Sequence, residues 1–153
     1  MTVQDCHTCA QEAEFAELPP RERIAADTYW RVAHSFTTSL PGWLVLVPRR
    51  HVTALHDLTD DEAAALGRWQ VRLSRALRAT TGCAKTYVAQ FAEAEGFAHV
   101  HFHIVPRPVD LAESLRGPRV FGLLDERGRA VTDPVSTDAL ALRIRAHLAE
   151  DAG

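Results

Sequence analysis

Three histidines alternate with apolar residues across positions 98–105, which read Ala-His-Val-His-Phe-His-Ile-Val. In an extended strand, residues two apart share a face, so His99, His101 and His103 are predicted to point to one side of a sheet. The intervening residues would point to the other side, into a core: Ala98, Val100, Phe102 and Ile104. Imidazoles buried without partners cost free energy, so such a face has no folding rationale. The pattern predicts that the chemistry of the protein lies there.

Length and charge narrow the class of protein. The chain has 153 residues, which suits a single domain over residues 1–153. A formal net charge of −3 argues against a nucleic-acid partner, because proteins that bind nucleic acids normally carry a basic surface. The N-terminus shows no secretory signal, and the most apolar run is too short to span a bilayer. We therefore expect a cytoplasmic protein without a membrane partner.

Hydrophobic periodicity and turn signals predict both strands and helices. The predicted strands cover residues 23–26, 29–34, 43–47 and 85–91, with the histidine segment as a further strand beside the last of these. A capping box of Thr59 and Glu62 predicts a helix that runs to about Thr80, where Gly82 would end it. A second helix is expected over residues 136–148.

Geometry argues against one metal ion held by all three histidines. His99 and His103 would lie about 13 Å apart at their Cα atoms, from a rise of roughly 3.3 Å per residue. Zinc–nitrogen bonds are only about 2.0–2.1 Å long. A division of roles is therefore predicted, in which an end histidine serves the structure while His101 meets a ligand with the third histidine beside it.

Other residues of the metal-binding type lie outside the histidine segment. Cys6 and Cys9 form a Cys-X-X-Cys pair, and His51 follows the predicted central strand. With His99 as the fourth ligand, these residues would form a Cys₂His₂ zinc site that ties the N-terminus to the sheet. The alternative is a pair of unrelated thiols near the terminus.

His101 is the predicted nucleophile. An imidazole with a free Nε2 is a good nucleophile toward phosphorus and would form a covalent phosphoramidate. His103, on the same face, could hydrogen-bond the phosphate oxygens or protonate a leaving group. The charge that develops on the phosphate would need further donors, from backbone N–H groups and from Gln90.

The segment from His99 to Arg107 resembles the His-φ-His-φ-His-φ-φ signature of the histidine triad (HIT) superfamily, where φ is apolar. Residues 41–51 resemble that family's Gly-His-hydrophobic-Pro-basic-basic-His stretch, and the Cys6-X-X-Cys9 pair also fits many members. These matches reach over residues 6–107 and leave 108–153 as a variable C-terminal loop and helix. The resemblance implies an α+β HIT-like fold, with an antiparallel sheet of about five strands flanked by helices, and it implies a homodimer.

The resemblance also implies an activity. Such a protein would be a nucleotide hydrolase or nucleotidyl transferase that acts on the α-phosphate of a dinucleoside polyphosphate or nucleoside phosphoramidate. By this likeness His101 is the nucleophile that forms a nucleotidyl-histidine intermediate, and His103 is a phosphate ligand. The likeness further implies a structural zinc ion, held by Cys6, Cys9, His51 and His99.

The chain departs from the family's pattern at positions that bear on the substrate. Trp43 stands where a histidine is usual, and Ser35 stands where a ribose-binding aspartate is usual. A serine can hydrogen-bond a ribose hydroxyl but cannot make the charged bidentate contact, so Ser35 is predicted to bind the substrate more weakly or to favour a different one. Gln90 is predicted to replace the polar residue that contacts phosphate in relatives.

Two other functions remain open from the sequence. A zinc-dependent hydrolase would use a metal-bound water as its nucleophile, and chelation would then stop activity without unfolding the protein. A nucleotide-binding module would bind nucleotide with negligible turnover, which the changes at Ser35 and Trp43 make conceivable. A covalent adduct on His101 would distinguish the predicted enzyme from both.

Overall fold

The computed structural model describes residues 5–125 and 131–152. Within these residues, five strands form one antiparallel sheet in the order β1-β2-β3-β5-β4. The strands are β1 (Ala25–Ala26), β2 (Trp30–His34), β3 (Leu44–Pro48), β4 (Lys85–Gln90) and β5 (Phe102–Arg107). The helices are α1 (His7–Ala13), α2 (Asp60–Thr81) and α3 (Pro134–Asp151). The expected α+β fold, with five antiparallel strands and flanking helices, is confirmed.

The long helix α2 begins and ends at the predicted signals. The hydroxyl of Thr59 accepts a hydrogen bond from the backbone N–H of Glu62, whose carboxylate accepts one from the N–H of Thr59. Gly82 follows the helix with φ at +70°, a left-handed conformation that glycine adopts without strain. Local sequence signals are sufficient for this element, and the predicted end at about Thr80 differs from the observed one by a single residue.

The main core lies between the helices and one face of the sheet. Helix α2 contributes Trp69, Leu73 and Leu77, which are spaced by three and four residues and therefore share one side of the helix. Helix α3 adds Leu140, Ile144 and Leu148 at the same spacing. The sheet supplies apolar residues from three neighbouring strands: Val32, Leu44, Leu46, Phe102 and Ile104. The C-terminal helix, beyond the signature region, thus packs into the same core as the sheet.

The histidine segment departs from the predicted strand over residues 98–105. Pairing with β3 begins only at Phe102, so His99 and His101 precede β5 and His103 alone lies within it. The physical reason lies at Pro48, which has no N–H to donate to a continued ladder. Its carbonyl instead accepts the imidazole Nε2–H of His99 at 2.8 Å.

The apolar half of the histidine pattern keeps its predicted place in the core. Val100, Phe102 and Ile104 are buried in the main core, whereas Ala98 is only half-buried. Before β5 the backbone is hydrogen-bonded to the segment that follows β3, since the N–H of Val100 donates to the carbonyl of Val52 at 2.7 Å. The alternation of apolar residues therefore persists beyond the ends of the regular strand.

The opposite face of the sheet carries a smaller apolar cluster, formed by Trp43, Val105 and Val120. Val120 belongs to a 3₁₀ helix over Gly117–Leu123, in a region for which the sequence predicts no element. The phenol of Tyr87 accepts from the N–H of this helix's first residue at 3.1 Å, and the carbonyl of its last residue accepts from the N–H of Ser39 at 3.1 Å. This segment covers the sheet face on which His103 lies.

Smaller differences concern element ends. The expected hairpin at residues 27–28 is confirmed, because the carboxylate of Asp27 accepts from the N–H groups of Tyr29 and Trp30. Helix α3 is longer than the predicted 136–148, since Asp133 caps it through the N–H of Ser136. Part of the N-terminus on which no secretory signal was predicted, residues 1–4, lies outside the described residues. Among the residues described, no helix is both long and apolar enough to cross a membrane.

Candidate active site and metal cluster

Four potential metal ligands meet beside the end of β3, and we call them the metal cluster: Cys6, Cys9, His51 and His99. Their ligand atoms all lie within 4.8 Å of one another. The Sγ of Cys9 is 3.2 Å from the Nδ1 of His51, and the Sγ of Cys6 is 3.5 Å from the Nδ1 of His99. A tetrahedral zinc ion, with bonds of about 2.3 Å to sulfur and about 2.0–2.1 Å to nitrogen, would set such pairs about 3.6 Å apart. The spacing therefore fits a single metal ion.

Helix α1 brings the two thiols together. The carbonyl of Cys6 accepts from the N–H of Ala10, so the chain turns at once into the helix and places Cys9 one turn further on. Burial, reinforced by the neighbouring Cys6, raises the pKa of the Cys9 thiol to about 11. A bound cation is therefore what would hold this side chain as a thiolate at neutral pH.

A buried arginine on β2 fastens α1 to the sheet. Arg31 is almost fully buried, and its guanidinium donates to the carbonyl of Thr8 at 2.9 Å, inside the Cys-X-X-Cys turn. The same guanidinium pairs with Glu12 at 3.0 Å, and Glu12 also pairs with Arg49 at 2.7 Å. Burial lowers the pKa of Arg31, while the Glu12 carboxylate opposes that effect. The charge network thus stabilises the turn that carries both thiols.

The orientation of His99 suits a metal ligand. This side chain is only 1% exposed, and its Nε2–H donates to the carbonyl of Pro48 at 2.8 Å. A carbonyl can only accept, so the proton of the neutral ring lies on Nε2 and the lone pair lies on Nδ1. That lone pair faces the thiols of Cys6 and Cys9, at 3.5 and 3.6 Å. A second partner that fixes the tautomer in this way is usual for a metal-binding histidine.

The orientation of His101 suits a nucleophile. Its Nδ1–H donates to the carbonyl of His99 at 2.9 Å, so the lone pair of the neutral ring lies on Nε2. The ring is only partly buried, unlike that of His99. A fixed tautomer, an accessible Nε2 and an acceptor behind Nδ1 are what an imidazole needs to attack an electrophile.

His103 is held in the complementary tautomer. The indole N–H of Trp43 donates to its Nδ1 at 3.0 Å, and because an indole N–H can only donate, the proton of the neutral ring lies on Nε2. Burial, together with the neighbouring His101, lowers the pKa of His103 to about 4. The ring centroids of the two histidines are 5.0 Å apart. We call His101 and His103 the reactive pair, since a nitrogen lone pair and a neutral N–H donor lie side by side.

A family model of the HIT domain matches residues 19–109, which is more than half of the chain and includes the reactive pair. The chain belongs to the histidine triad (HIT) family. The resemblance seen in the sequence is confirmed.

Solved structures of HIT proteins share the fold. A zinc-bound histidine triad family protein from Mycobacterium smegmatis has a TM-score of 0.70 at 19% identity, over 99% of this chain and 98% of that chain. A histidine triad protein from Bradyrhizobium japonicum has a TM-score of 0.68 at 26% identity, over 82% and 89%. A hypothetical histidine triad nucleotide-binding protein from Sulfolobus tokodaii has a TM-score of 0.70 at 16% identity, over 95% and 93%. No match was found among curated proteins.

A row of packed aromatic side chains lies beside the reactive pair of this HIT domain. Phe121 lies with its ring centroid 5.0 Å from that of His103 and 5.3 Å from that of Trp43. Phe91 follows at 5.4 Å from Phe121, and its side chain is 61% exposed. Neither phenylalanine was predicted as a site residue, and Phe121 lies in a segment without a periodic pattern. Trp43 lies two residues before Val45, which pairs with His103, so the strand register places the indole on the same face as His103.

Two further residues, Ser35 and Gln90, were predicted to bind the substrate. Among the described contacts, neither side chain touches the reactive pair. Ser35 lies just after β2, and its hydroxyl is 3.4 Å from that of Thr37. Gln90 pairs with Phe102, whose side chain packs into the main core, so the register places it on the helix-bearing face of the sheet. Substrate binding by Ser35 therefore stays a prediction, and the strand register does not favour the phosphate contact of Gln90.

Proposed function

We propose that this HIT protein is a nucleotide hydrolase or nucleotidyl transferase that acts on the α-phosphate of a nucleotide derivative through a covalent nucleotidyl-histidine intermediate. A dinucleoside polyphosphate or a nucleoside phosphoramidate would be the substrate. The observation that carries the proposal is the hydrogen bond from the Nδ1–H of His101 to the carbonyl of His99, which leaves the Nε2 lone pair free to attack phosphorus.

In the first step, the Nε2 lone pair of His101 forms a bond to the α-phosphorus. The bond from phosphorus to the leaving group breaks, and the leaving group departs with the electron pair and takes a proton from solvent. The imidazole ring gains positive charge as the P–N bond forms. The His99 carbonyl, already 2.9 Å from Nδ1, stabilises that charge because hydrogen bonds to charged groups are stronger than neutral ones.

In the second step, water or another acceptor attacks the same phosphorus. The P–N bond breaks, its electron pair returns to Nε2 of His101, and the attacking oxygen loses its proton to solvent. With water as the acceptor the product is a nucleoside monophosphate, and with another nucleophile it is a transferred nucleotidyl group. The original tautomer of His101 is restored because Nδ1 keeps its proton throughout.

Of the two roles considered for His103, the structure supports the hydrogen-bond donor. The depressed pKa of about 4 keeps its ring neutral at physiological pH. A neutral imidazole is a very weak acid, so protonation of a leaving group would require the imidazolium form that burial disfavours. His103 would instead donate its Nε2–H to a phosphate oxygen as charge develops there.

We further propose that the metal cluster holds a structural zinc ion. Two thiols and two imidazoles are ligands that zinc prefers, and the similar protein from M. smegmatis is described as zinc-bound. A bound zinc ion would supply folding stability by joining α1 to the sheet. Four protein ligands complete a tetrahedron and leave no position for a water, which does not favour the alternative of a zinc hydrolase.

The test of the enzymatic proposal is intact-protein mass spectrometry after mixing with diadenosine tetraphosphate or adenosine phosphoramidate, with AMP release followed in parallel. We expect a mass increase of one AMP group, or AMP release, that is lost in His101→Ala. His56→Ala is the matched control, because the His56 side chain is 85% exposed and its ion pair lies on the surface. Binding of AMP without adduct or product would establish the binding-module alternative instead.

We propose that two copies associate through the free edge of β4, which forms the homodimer expected of the family. Among the described residues β4 is the last strand in the sheet, and an edge strand offers a row of N–H and C=O groups to a second strand. Val88 on this strand and Val71 on α2 line one apolar groove, and they are 45% and 51% exposed. A twofold axis at this edge would pair both grooves at once.

Light scattering on the wild type and on Val88→Asp tests the association. The substitution places a charge in the paired edge, so we expect a fall from dimer to monomer mass. Val109→Asp is the control, since Val109 is also exposed but lies outside the groove. A monomeric wild type would contradict the proposed dimer.

A cytoplasmic location and a small-molecule partner complete the proposal. The three cysteines are unpaired in the structure, and free thiols are usual in the cytoplasm, where disulfides are rare. The net charge of −3 argues against a nucleic acid as the partner and does not exclude a small phosphorylated molecule, for which one local binding site is sufficient.

A further inference from the structure

We propose that Trp43 is a positioning residue that holds His103 in its Nε2–H form, so that His103 offers a donor rather than a lone pair to the substrate phosphate. The inference rests on the proposed function, because it assigns how this site would hold a phosphate. Its structural half, the tautomer, can be measured without any substrate.

The chemistry of the indole decides the tautomer. The indole nitrogen of Trp43 carries a hydrogen and has no lone pair to offer, so the atom 3.0 Å away, Nδ1 of His103, must accept. In the opposite tautomer, two N–H groups would point at each other and both would lose their partner. A buried donor left without an acceptor costs free energy. The doubly protonated ring meets the same conflict, so Trp43 opposes both alternatives to the Nε2–H form.

The indole is held too firmly to turn away from this bond. Trp43 is fully buried, and its backbone is fixed on both sides, since its N–H donates to Leu40 and its carbonyl accepts from Ser35. The Phe121 ring packs edge-to-face against both partners, at 5.3 Å from Trp43 and 5.0 Å from His103. The hydrogen bond is therefore held in place by the packing of three aromatic rings.

The consequence appears at the face shared with His101. His101 presents a lone pair at Nε2, and phosphate oxygens carry negative charge that a second lone pair would repel. With the proton of His103 on Nε2, the reactive pair offers one nucleophile and one donor instead of two lone pairs. Tautomer control by Trp43 thus prevents an arrangement in which both imidazoles would compete for the same electrophile and neither would hold its oxygens.

The first readout is nitrogen NMR of the metal-loaded protein with ¹⁵N-labelled histidine, in which His103 is assigned by the signal that His103→Gln removes. In the wild type we expect a protonated Nε2 and an unprotonated Nδ1. In Trp43→Phe, which keeps an aromatic ring but loses the donor, we expect both tautomers to be populated. An unchanged Nε2–H signal in Trp43→Phe, or a wild type with Nδ1–H, would overturn the proposal.

Because Trp43 is buried, Trp43→Phe can also destabilise the protein. Site-specific replacement of Trp43 by benzothienylalanine avoids this problem, since the analogue keeps the two-ring shape and substitutes sulfur for the N–H. The expected tautomer change is the same. Trp69→Phe is the matched control, because the Trp69 indole donates to Asp27 at 2.7 Å, away from the reactive pair. That variant should lose stability and keep the His103 tautomer.

The second readout is AMP affinity, which we expect to fall about 10-fold in the benzothienylalanine protein, in the range of losses seen when an orienting partner is removed. A changed tautomer with unchanged AMP affinity would show that the donor does not hold phosphate, and the proposal would be wrong in that half. Failure of the proposed function looks different. In that case the wild type shows the Nε2–H tautomer and binds AMP, yet forms neither adduct nor product.

Discussion

In the metal cluster, the Nε2–H of His99 donates a hydrogen bond to a carbonyl, and its Nδ1 lone pair faces two thiols. In the reactive pair the roles of the two nitrogens are exchanged. The Nδ1–H of His101 donates to a carbonyl, and the lone pair of the neutral ring lies on Nε2. His103, two residues further on, accepts at Nδ1 and keeps its proton on Nε2. The partner of one ring nitrogen therefore decides what the other nitrogen can do. Within five positions, histidine is thus suited to act as a metal ligand, as a nucleophile and as a hydrogen-bond donor.

Accessibility separates the two regions as sharply as hydrogen bonding does. Cys6 and His99 in the metal cluster are almost fully buried, whereas His101 and His103 are only partly so. The rings of the reactive pair are partly exposed, whereas a bound metal would be enclosed by protein. Loss of a cluster residue should therefore appear in stability, and loss of a reactive residue should appear in turnover.

The largest expected effect is on turnover. His101→Gly removes the proposed nucleophile, and we expect a fall in kcat of at least about 10³-fold, since the loss of a nucleophile is among the most damaging changes to an enzyme. Free imidazole added to this variant should restore part of the activity by occupying the vacated space. The measurement is AMP release with and without imidazole.

His99→Gly is the comparison that can break this division. It removes the imidazole of a metal-cluster residue, two positions before His101. We therefore expect lower thermal stability and no rescue of turnover by imidazole. Rescue of turnover in His99→Gly would mean that the two regions are not divided as their hydrogen bonds indicate.

The next effect is on stability. Cys9→Ala removes one of four potential metal ligands, and we expect the free energy of unfolding to fall by about 3–5 kcal/mol together with the loss of bound zinc, because structural zinc contributes to folding directly. Bound metal is measured by atomic emission and stability by urea unfolding. Cys83→Ala is the control, since Cys83 is a buried thiol outside the cluster. Activity that is lost on chelation before any unfolding would favour the zinc-hydrolase alternative.

A pH effect follows from the reactive pair. His103 has a pKa of about 4 in the folded protein, below the ordinary 6.5, so between these values the unfolded chain binds more protons. The resulting stabilisation is complete above about pH 6.5 and is lost as the pH falls toward 4, by an amount on the order of 3 kcal/mol. The titratable group that faces His103 is His101.

Urea unfolding at several pH values checks this. Relative to the wild type, His103→Gln should show a weaker fall in stability over the same window, and His56→Gln should match the wild type because its side chain is exposed. Equal slopes in all three proteins would contradict a neutral, buried His103.

The smallest effect calibrates both regions. Thr59→Ala removes the hydroxyl that caps α2, and we expect a loss of about 1 kcal/mol in unfolding free energy. Neither metal content nor AMP release should change, because the cap belongs to neither region. A change in metal content or in AMP release would show that a loss of global stability alone alters these measurements. The larger effects would then have to be corrected for the loss of stability.

The fold was predictable where its signals are local. The cap at Thr59, the stop at Gly82 and the turn at Asp27 each act within a few residues, and each was predicted. The start of β5 was not, because it depends on a bond between Pro48 and His99, two residues that are 51 positions apart. Alternation in the sequence indicates which side chains share a face, but it does not show where pairing stops.

The site shows the same division. The metal cluster was predicted as one of two alternatives, because a Cys-X-X-Cys pair together with histidines is a common set of zinc ligands. The partner of His103 was missed, because Trp43 is 60 positions away and its role depends on strand register. Phe121 lies beyond residue 109, where the family match ends, in a segment with no periodic pattern to place it.

The position of Phe121 has an evolutionary consequence. His101 and its hydrogen-bond partner lie where the chain enters β5, so most changes there would disturb the sheet. The aromatic ring against His103 comes instead from a segment that adds no strand to the sheet. Such a segment can accumulate substitutions and insertions while the strands stay intact. Selection can therefore alter the surface beside His103 independently of the strands, which makes this segment a natural place for divergence among relatives of this protein.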